Sequence, residues 1–229
     1  MLALGDSAAQ GVGGGHPSLG WVGQLAALGD RTDRVVNLSV SGARVGDLVD
    51  AQLPRAEELL DLLGPPEATV IHIGGNDLFR PGNPLSFGRG LRSLGGWLGS
   101  SDTGEATVLG LIPRTALGLT AAEANWRLRR TASAAAATTA DVNTHARGSV
   151  GSRVAADMFH PNERGYAAWA WGFADALGYG RSDGPPANDG RSDGPGRSTK
   201  RLEPTEPWGE PLAAVPEEAL SPPESSPTR

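Results

Sequence analysis

Apolar and polar positions along this chain follow two alternating periods. Short β-branched or otherwise apolar runs, Leu2–Leu4, Val35–Leu38, Thr69–Ile73, Thr107–Ile112 and, weakest, Thr139–Asn143, are separated by longer segments. In those segments, "GWVGQLAALG", "VGDLVDAQLPRAEELLDLLG", "PLSFGRGLRSLGGWLG" and "TAAEANWRLRRTASAAAA", apolar residues recur every three or four positions. The short runs suit strands and the longer period suits helices. Strands alternating with helices predict a parallel sheet, and right-handed crossovers cover both of its faces. The expected fold is α/β, a three-layer α/β/α sandwich on a five-stranded parallel sheet. Pro54 should interrupt the second helical segment, because proline lacks an N–H and clashes with the preceding turn. In the last segment, "DMFHPNERGYAAWAWGFADALG", Pro161 suits a first helical turn and Gly178 a C-terminal stop.

The pattern fades near Gly180. The remaining residues, 180–229, are rich in Pro, Gly, Ser and charge, with Trp208 as their only aromatic side chain. Such a composition buries too little apolar surface to offset the entropy of ordering it. One domain over residues 1–179 followed by a disordered acidic tail over 180–229 is therefore expected. The twofold "RSDGP", at Arg181–Pro185 and Arg191–Pro195, is an echo too short to make a repeat architecture. A net charge of -6 lacks the basic footprint of a nucleic-acid binder. The absence of cysteine removes disulfides, thiolate metal sites and a thiol nucleophile. No apolar run reaches the ~18 residues of a membrane span, and no basic segment followed by an apolar one opens the chain. As written, the chain is expected to be cytoplasmic and monomeric.

The polar residues that interrupt this pattern gather at strand ends, where ligands bind in open α/β sheets. Ser7 follows the first strand, Ser41-Gly42 the second and Gly74-Gly75-Asn76-Asp77 the third. A dinucleotide site fails, because His16 stands where G-x-G-x-x-G needs its last glycine, and no phosphate-loop motif exists. The loop glycines 11 and 13–15 are then expected to make a mobile loop. A G-x-S-x-G elbow also fails, since Gly5-Asp6-Ser7-Ala8-Ala9 lacks the final glycine. Nucleophilic catalysis is nevertheless defined by roles rather than by one signature. Asp157 and His160 lie three residues apart before the last helix, so the acid can hold Nδ1–H and leave Nε2 to take a proton from Ser7. Backbone N–H groups of Ser7 and Gly42 and the side-chain amide of Asn76 are candidate oxyanion donors. Glycine at position 42 would allow close backbone approach. Asp6 and Asp77 are expected to hold the loops that carry these groups. His72 is expected to be packed, and His16 and His145 to lie on loops without a partner acid. Phe79, Leu85, Phe87, Leu117 and Leu119 could border an apolar slot.

The blocks "GDS", "NLSVSGAR", "GGND" and "DMFHPNERGY" occur in the order and spacing that resemble the SGNH (GDSL) hydrolase family over residues 1–179. That resemblance implies a flavodoxin-like fold and an esterase, lipase or related deacylase that needs no metal or cofactor. It implies Ser7 as nucleophile with His160 and Asp157, an oxyanion hole from Ser7, Gly42 and Asn76, and a small-molecule ester as substrate. Short- to medium-chain or lipid-like esters are expected. A carbohydrate or peptidoglycan O-deacetylase is the alternative, and a silent binding protein on the same fold a more distant one. The sequence departs from the family pattern after the serine, where "GDSAA" replaces the bulkier residue and Thr or Ser more usual there.

Overall fold

Five parallel strands carry the fold in this computed structural model, which describes residues 1–29, 34–79, 84–113, 118–146 and 148–179. They are β1 (Leu2–Gly5), β2 (Val36–Asn37), β3 (Ala68–His72), β4 (Ala106–Gly110) and β5 (Thr138–Ala140), in the order β2-β1-β3-β4-β5. Register pairs Leu2 with Val36 and Thr69, Thr69 with Thr107, and Val108 with Thr138. The five expected strands are all present, with β2 shorter and β5 placed slightly earlier than their apolar runs. Backbone bonds from Leu38 N to Ala3 O and from Val40 N to Gly5 O carry the β2 pairing beyond its two residues.

The two-residue period of the strands sorts their side chains into two cores. Leu2, Leu4, Ile71, Ile73, Leu109 and Leu111 face one side. There they meet α3 (Val45–Asp47), α4 (Leu53–Leu63), α6 (Pro84–Ser100) and α7 (Gly118–Ala134) through Val45, Leu53, Leu94, Trp97 and Leu128. Ala3, Val70, Val108 and Ala140 face the other side, against α2 (Trp21–Leu28) and α8 (Glu163–Leu177). These smaller strand residues make room for Trp21, Tyr166 and Phe173, with Trp21 stacked on Phe173 at 4.1 Å between ring centroids. The result is the expected three-layer sandwich.

Pro54 acts as its chemistry requires. The helix that begins at Val45 loosens into a π-helical turn over Leu48–Gln52, and α4 restarts with Pro54 in its first turn, where a missing N–H costs nothing. Pro161, in contrast, is not in a first helical turn. It pairs with Val154 in an isolated antiparallel bridge, and α8 starts after Asn162, whose side chain caps Gly165 N. Asn162 takes that place because a side-chain oxygen can accept one of the orphan N–H groups, which proline cannot do. Gly178 does end α8, in the left-handed conformation. The chain divides into two units, Met1–Asp189 and Gly190–Arg229. The expected tail, 180–229, lies outside the described residues.

Candidate active site

β1 ends at Gly5, and Ser7 begins the short helix α1 (Ser7–Gln10) directly after it. Asp6 caps that helix, its Oδ1 accepting Ala8 N–H at 3.0 Å. Burial pushes the Asp6 carboxyl up to about 6, against the pull of the Ala8 N–H and of nearby His160. Ser7 is thus fixed at a strand end, 8% exposed.

His160 arrives from the far end of the sequence on a hairpin. Its legs are joined by Ala155 N to His160 O at 2.8 Å and Asn162 N to Arg153 O at 3.0 Å. At the tip, Asp157 Oδ1 accepts the Phe159 and His160 backbone N–H groups, each at 2.9 Å. Met158 turns the chain at φ +58°, a left-handed conformation unusual for a residue with a Cβ. The turn leaves Asp157 Oδ2 2.6 Å from His160 Nδ1 and His160 Nε2 2.8 Å from Ser7 Oγ. The bond from His160, helped by the two backbone N–H groups, pulls the Asp157 carboxyl down to about 2. An ionised carboxylate accepts, so Nδ1 carries the proton and Nε2 is free to accept from the serine hydroxyl. A hydroxyl so held can give up its proton as it attacks a carbonyl carbon.

Asn76 lies in α5 (Gly75–Phe79), immediately beyond β3, and lines the same pocket as Ser7 and His160. One of its amide hydrogens goes to Ala43 O at 3.0 Å, which leaves the other to donate elsewhere. Asp77 Oδ2 accepts Val45 N–H at 3.1 Å, so the Asn76 loop and the loop after β2 are tied twice. Burial raises the Asp77 carboxyl, with the Val45 N–H opposing it. Gly42 stands apart from the other expected donors. It is on the exposed turn after β2 and does not line the pocket. Its φ of +80° favours glycine, and a Cβ there would meet no protein atom within 4 Å.

The pocket holds about 160 Å³ and is mostly apolar, with Ile112, Pro113, Val142, Phe79 and Phe159 among its walls. Phe79 and Phe159 meet edge to face at 4.7 Å between centroids. Of the other expected slot residues, Phe87 packs into the core instead, and Leu85 is outside the pocket lining. Leu117 and the Leu119 side chain lie outside the described residues. His72 is packed as expected, 2% exposed and 4.6 Å from the Trp169 ring; burial lowers it to about 4, against the pull of the Leu111 backbone.

Four features were not anticipated. Gln52, in the π turn, forms a reciprocal pair with Gly5, Gly5 N–H donating to Oε1 at 2.9 Å and Nε2 to Gly5 O at 2.8 Å. The only local signal for it is one polar residue within an apolar helical pattern. His145 does have an acid, Asp175 Oδ2 at 2.5 Å, thirty positions away on α8. The glycine loop has a packing role, since a Cβ on Gly13 would come within 2.6 Å of Pro161 O and 2.9 Å of His160 Cβ. Tyr166 pins the same loop through a 2.6 Å bond to Val12 O. The fourth is Arg153, which shares the pocket with Ser7.

A parallel α/β sandwich with a serine, an imidazole and a carboxylate in hydrogen-bond sequence at its strand ends is the arrangement of a hydrolase. The chain belongs to the GDSL-like lipase/acylhydrolase family, whose model matches residues 3–168. Among solved structures it is similar to LAE5, an α/β hydrolase enzyme from the metagenome of Lake Arreo, Spain, at 24% identity and a TM-score of 0.61, covering 79% of this chain and 95% of that one. It is also similar to TesA, at 27% identity and 0.60 over 77% and 96%. A third is Axe2, an acetylxylan esterase from Geobacillus stearothermophilus, at 21% identity and 0.59 over 79% and 95%. No curated protein matches the sequence. Among the described residues, no helix is long and apolar enough to cross a membrane.

Proposed function

We propose that the chain is a serine esterase that works through an acyl-enzyme on Ser7. His160 takes the hydroxyl proton as Ser7 attacks the ester carbonyl, then returns it to the departing alcohol. The same imidazole activates the water that releases the acid. Asp157 holds the tautomer and stabilises the imidazolium. Asn76 and the Ser7 N–H, which share the pocket with His160, stabilise the oxyanion. The observation that carries this reading is the continuous relay of 2.6 Å and 2.8 Å from Asp157 through His160 to Ser7.

Substrate range follows from the pocket. Ligand pockets for drug-sized molecules span about 300–1,000 Å³, so about 160 Å³ of mainly apolar space favours a short acyl group. A carbohydrate O-deacetylase, the class to which the Axe2 name points, is the second reading, and the same small pocket supports it. Turnover of p-nitrophenyl acetate, butyrate and decanoate beside acetylated xylose separates the two. Covalent labelling by a fluorophosphonate, absent in Ser7→Ala, tests the nucleophile. Loss of a triad typically costs on the order of a millionfold in turnover. A Ser7→Ala protein with a tenth of the wild-type rate would remove Ser7 from that role.

A further inference from the structure

The pocket contains one cation that this mechanism leaves unused. Arg153 lines it, half-buried, and no carboxylate among the described residues pairs with it; the nearby acid Asp157 is held by His160. Among the described residues its guanidinium donates only to backbone carbonyls, Nε to Ser149 O and Nη2 to Gly148 O, both at 3.4 Å. N–H···O bonds cluster near ~2.9 Å, and guanidinium has five donors, so most of this capacity is unspent.

Its placement is not incidental. Arg153 sits on one leg of the hairpin whose other leg carries His160, with Arg153 O bonded to Asn162 N and the legs bridged at Val154 and Pro161. The ladder that presents the imidazole therefore fixes the arginine as well. The other ionisable side chains lining the pocket are Asp6, engaged with Ala8 N–H, His72, packed against Trp169, and His160, engaged with Ser7. Guanidinium recognises carboxylate and phosphate oxygens in paired, charge-assisted bonds.

Building on the esterase reading, we propose that Arg153 selects esters carrying an anionic oxygen group, carboxylate or phosphate, a few bonds from the scissile carbonyl. The test compares kcat/KM within matched pairs on the full chain. Phenyl hydrogen succinate against phenyl butyrate places the anion on the acyl side. 4-Acetoxybutanoate and 3-acetoxypropyl phosphate against butyl acetate place it on the alcohol side and separate carboxylate from phosphate. The anionic member of at least one pair should be preferred about tenfold to a hundredfold, the range of a charged hydrogen bond. Arg153→Met should bring that ratio to near one, and Arg153→Lys should retain part of it. Added salt should reduce the preference. A wild-type ratio at or below one in every pair overturns the proposal, as does a preference that survives in Arg153→Met. A second measurement does not depend on turnover: calorimetric binding of monomethyl succinate and of propyl phosphate to the Ser7→Ala protein, lost with Arg153→Met. If no ester of either kind is hydrolysed but this Arg153-dependent binding persists, the esterase reading fails while the anion site stands. Binding unchanged by Arg153→Met removes the anion site.

Discussion

Replacing Gln52 by Ala tests whether the end of β1 must be clamped for Ser7 to work. The side chain is 2% exposed and bonds both Gly5 N–H and Gly5 O, two residues before the serine. On its removal Gly5 O keeps the Val40 N–H at 3.1 Å, so one backbone group, Gly5 N–H, loses its Gln52 partner and is left buried. An orphaned buried donor costs about 1–3 kcal/mol, and the space vacated by the amide adds about 1 kcal/mol. The sum, about 2–4 kcal/mol, lowers Tm by about 4–16 °C for a domain of this size. Turnover should fall further than binding, because a displacement of ~1 Å at a reacting group can cost about a hundredfold. The assay is urea and thermal unfolding beside kcat and KM on p-nitrophenyl butyrate. We expect kcat down about 10- to 100-fold with KM within about threefold. Gln52→Glu adds a signed control. A neutral carboxylic acid both accepts and donates as the amide does, whereas the carboxylate only accepts. Burial raises its folded pKa above the unfolded ~4.3, so its stability relative to wild type should be best near pH 4 and lost as pH rises. Unchanged kcat in a clearly destabilised Gln52→Ala protein would refute the positioning role, and a stability change below about 0.5 kcal/mol would refute the clamp itself.

Asn76→Ala should lower kcat by about a hundred- to a thousandfold through lost oxyanion stabilisation; a change confined to KM would make Asn76 a ground-state binding group. His72, lowered to about 4, and Asp6, raised to about 6, give opposing pH dependences of stability. As pH falls from ~6.5 to ~4 the unfolded chain takes up the His72 proton first, which costs roughly 3 kcal/mol, while the folded chain takes up the Asp6 proton first, which returns a similar amount. Asp6→Asn keeps a cap but removes the second effect, so urea unfolding between pH 7 and pH 4 should show an acid loss roughly 3 kcal/mol steeper than wild type, and parallel curves would contradict the assignment. A chain ended after Tyr179 should keep kcat and KM within about twofold, measured on the same ester; a severalfold change in acyl preference would give the tail a part in the site.

Local pattern was enough for the architecture. A period of two in the strands and of three to four between them specifies which residues face each core, and Leu2, Leu4, Ile71, Ile73 against Ala3, Val70 follow it. The Asp157–His160 pairing was legible too, because both residues lie in one turn and a three-residue spacing fixes their reach. Their meeting with Ser7 across 153 positions was inferable only as convergence at strand ends, and the hairpin that achieves it was not visible. Pro161 misled because its preference for a first turn is weaker than the cap and bridge chemistry around it. Gln52 and Gly5, 47 positions apart, and His145 and Asp175, 30 apart, bear no sequence mark of their pairing. The positive φ of Gly42, +80°, is likewise a property of the folded turn that the sequence does not announce. Periodicity records which side of an element is buried, but it carries no information about which polar atom a distant segment will bring within 3 Å. Those pairings are decided when the layers pack, since only then does an unpaired buried group cost enough to select its partner.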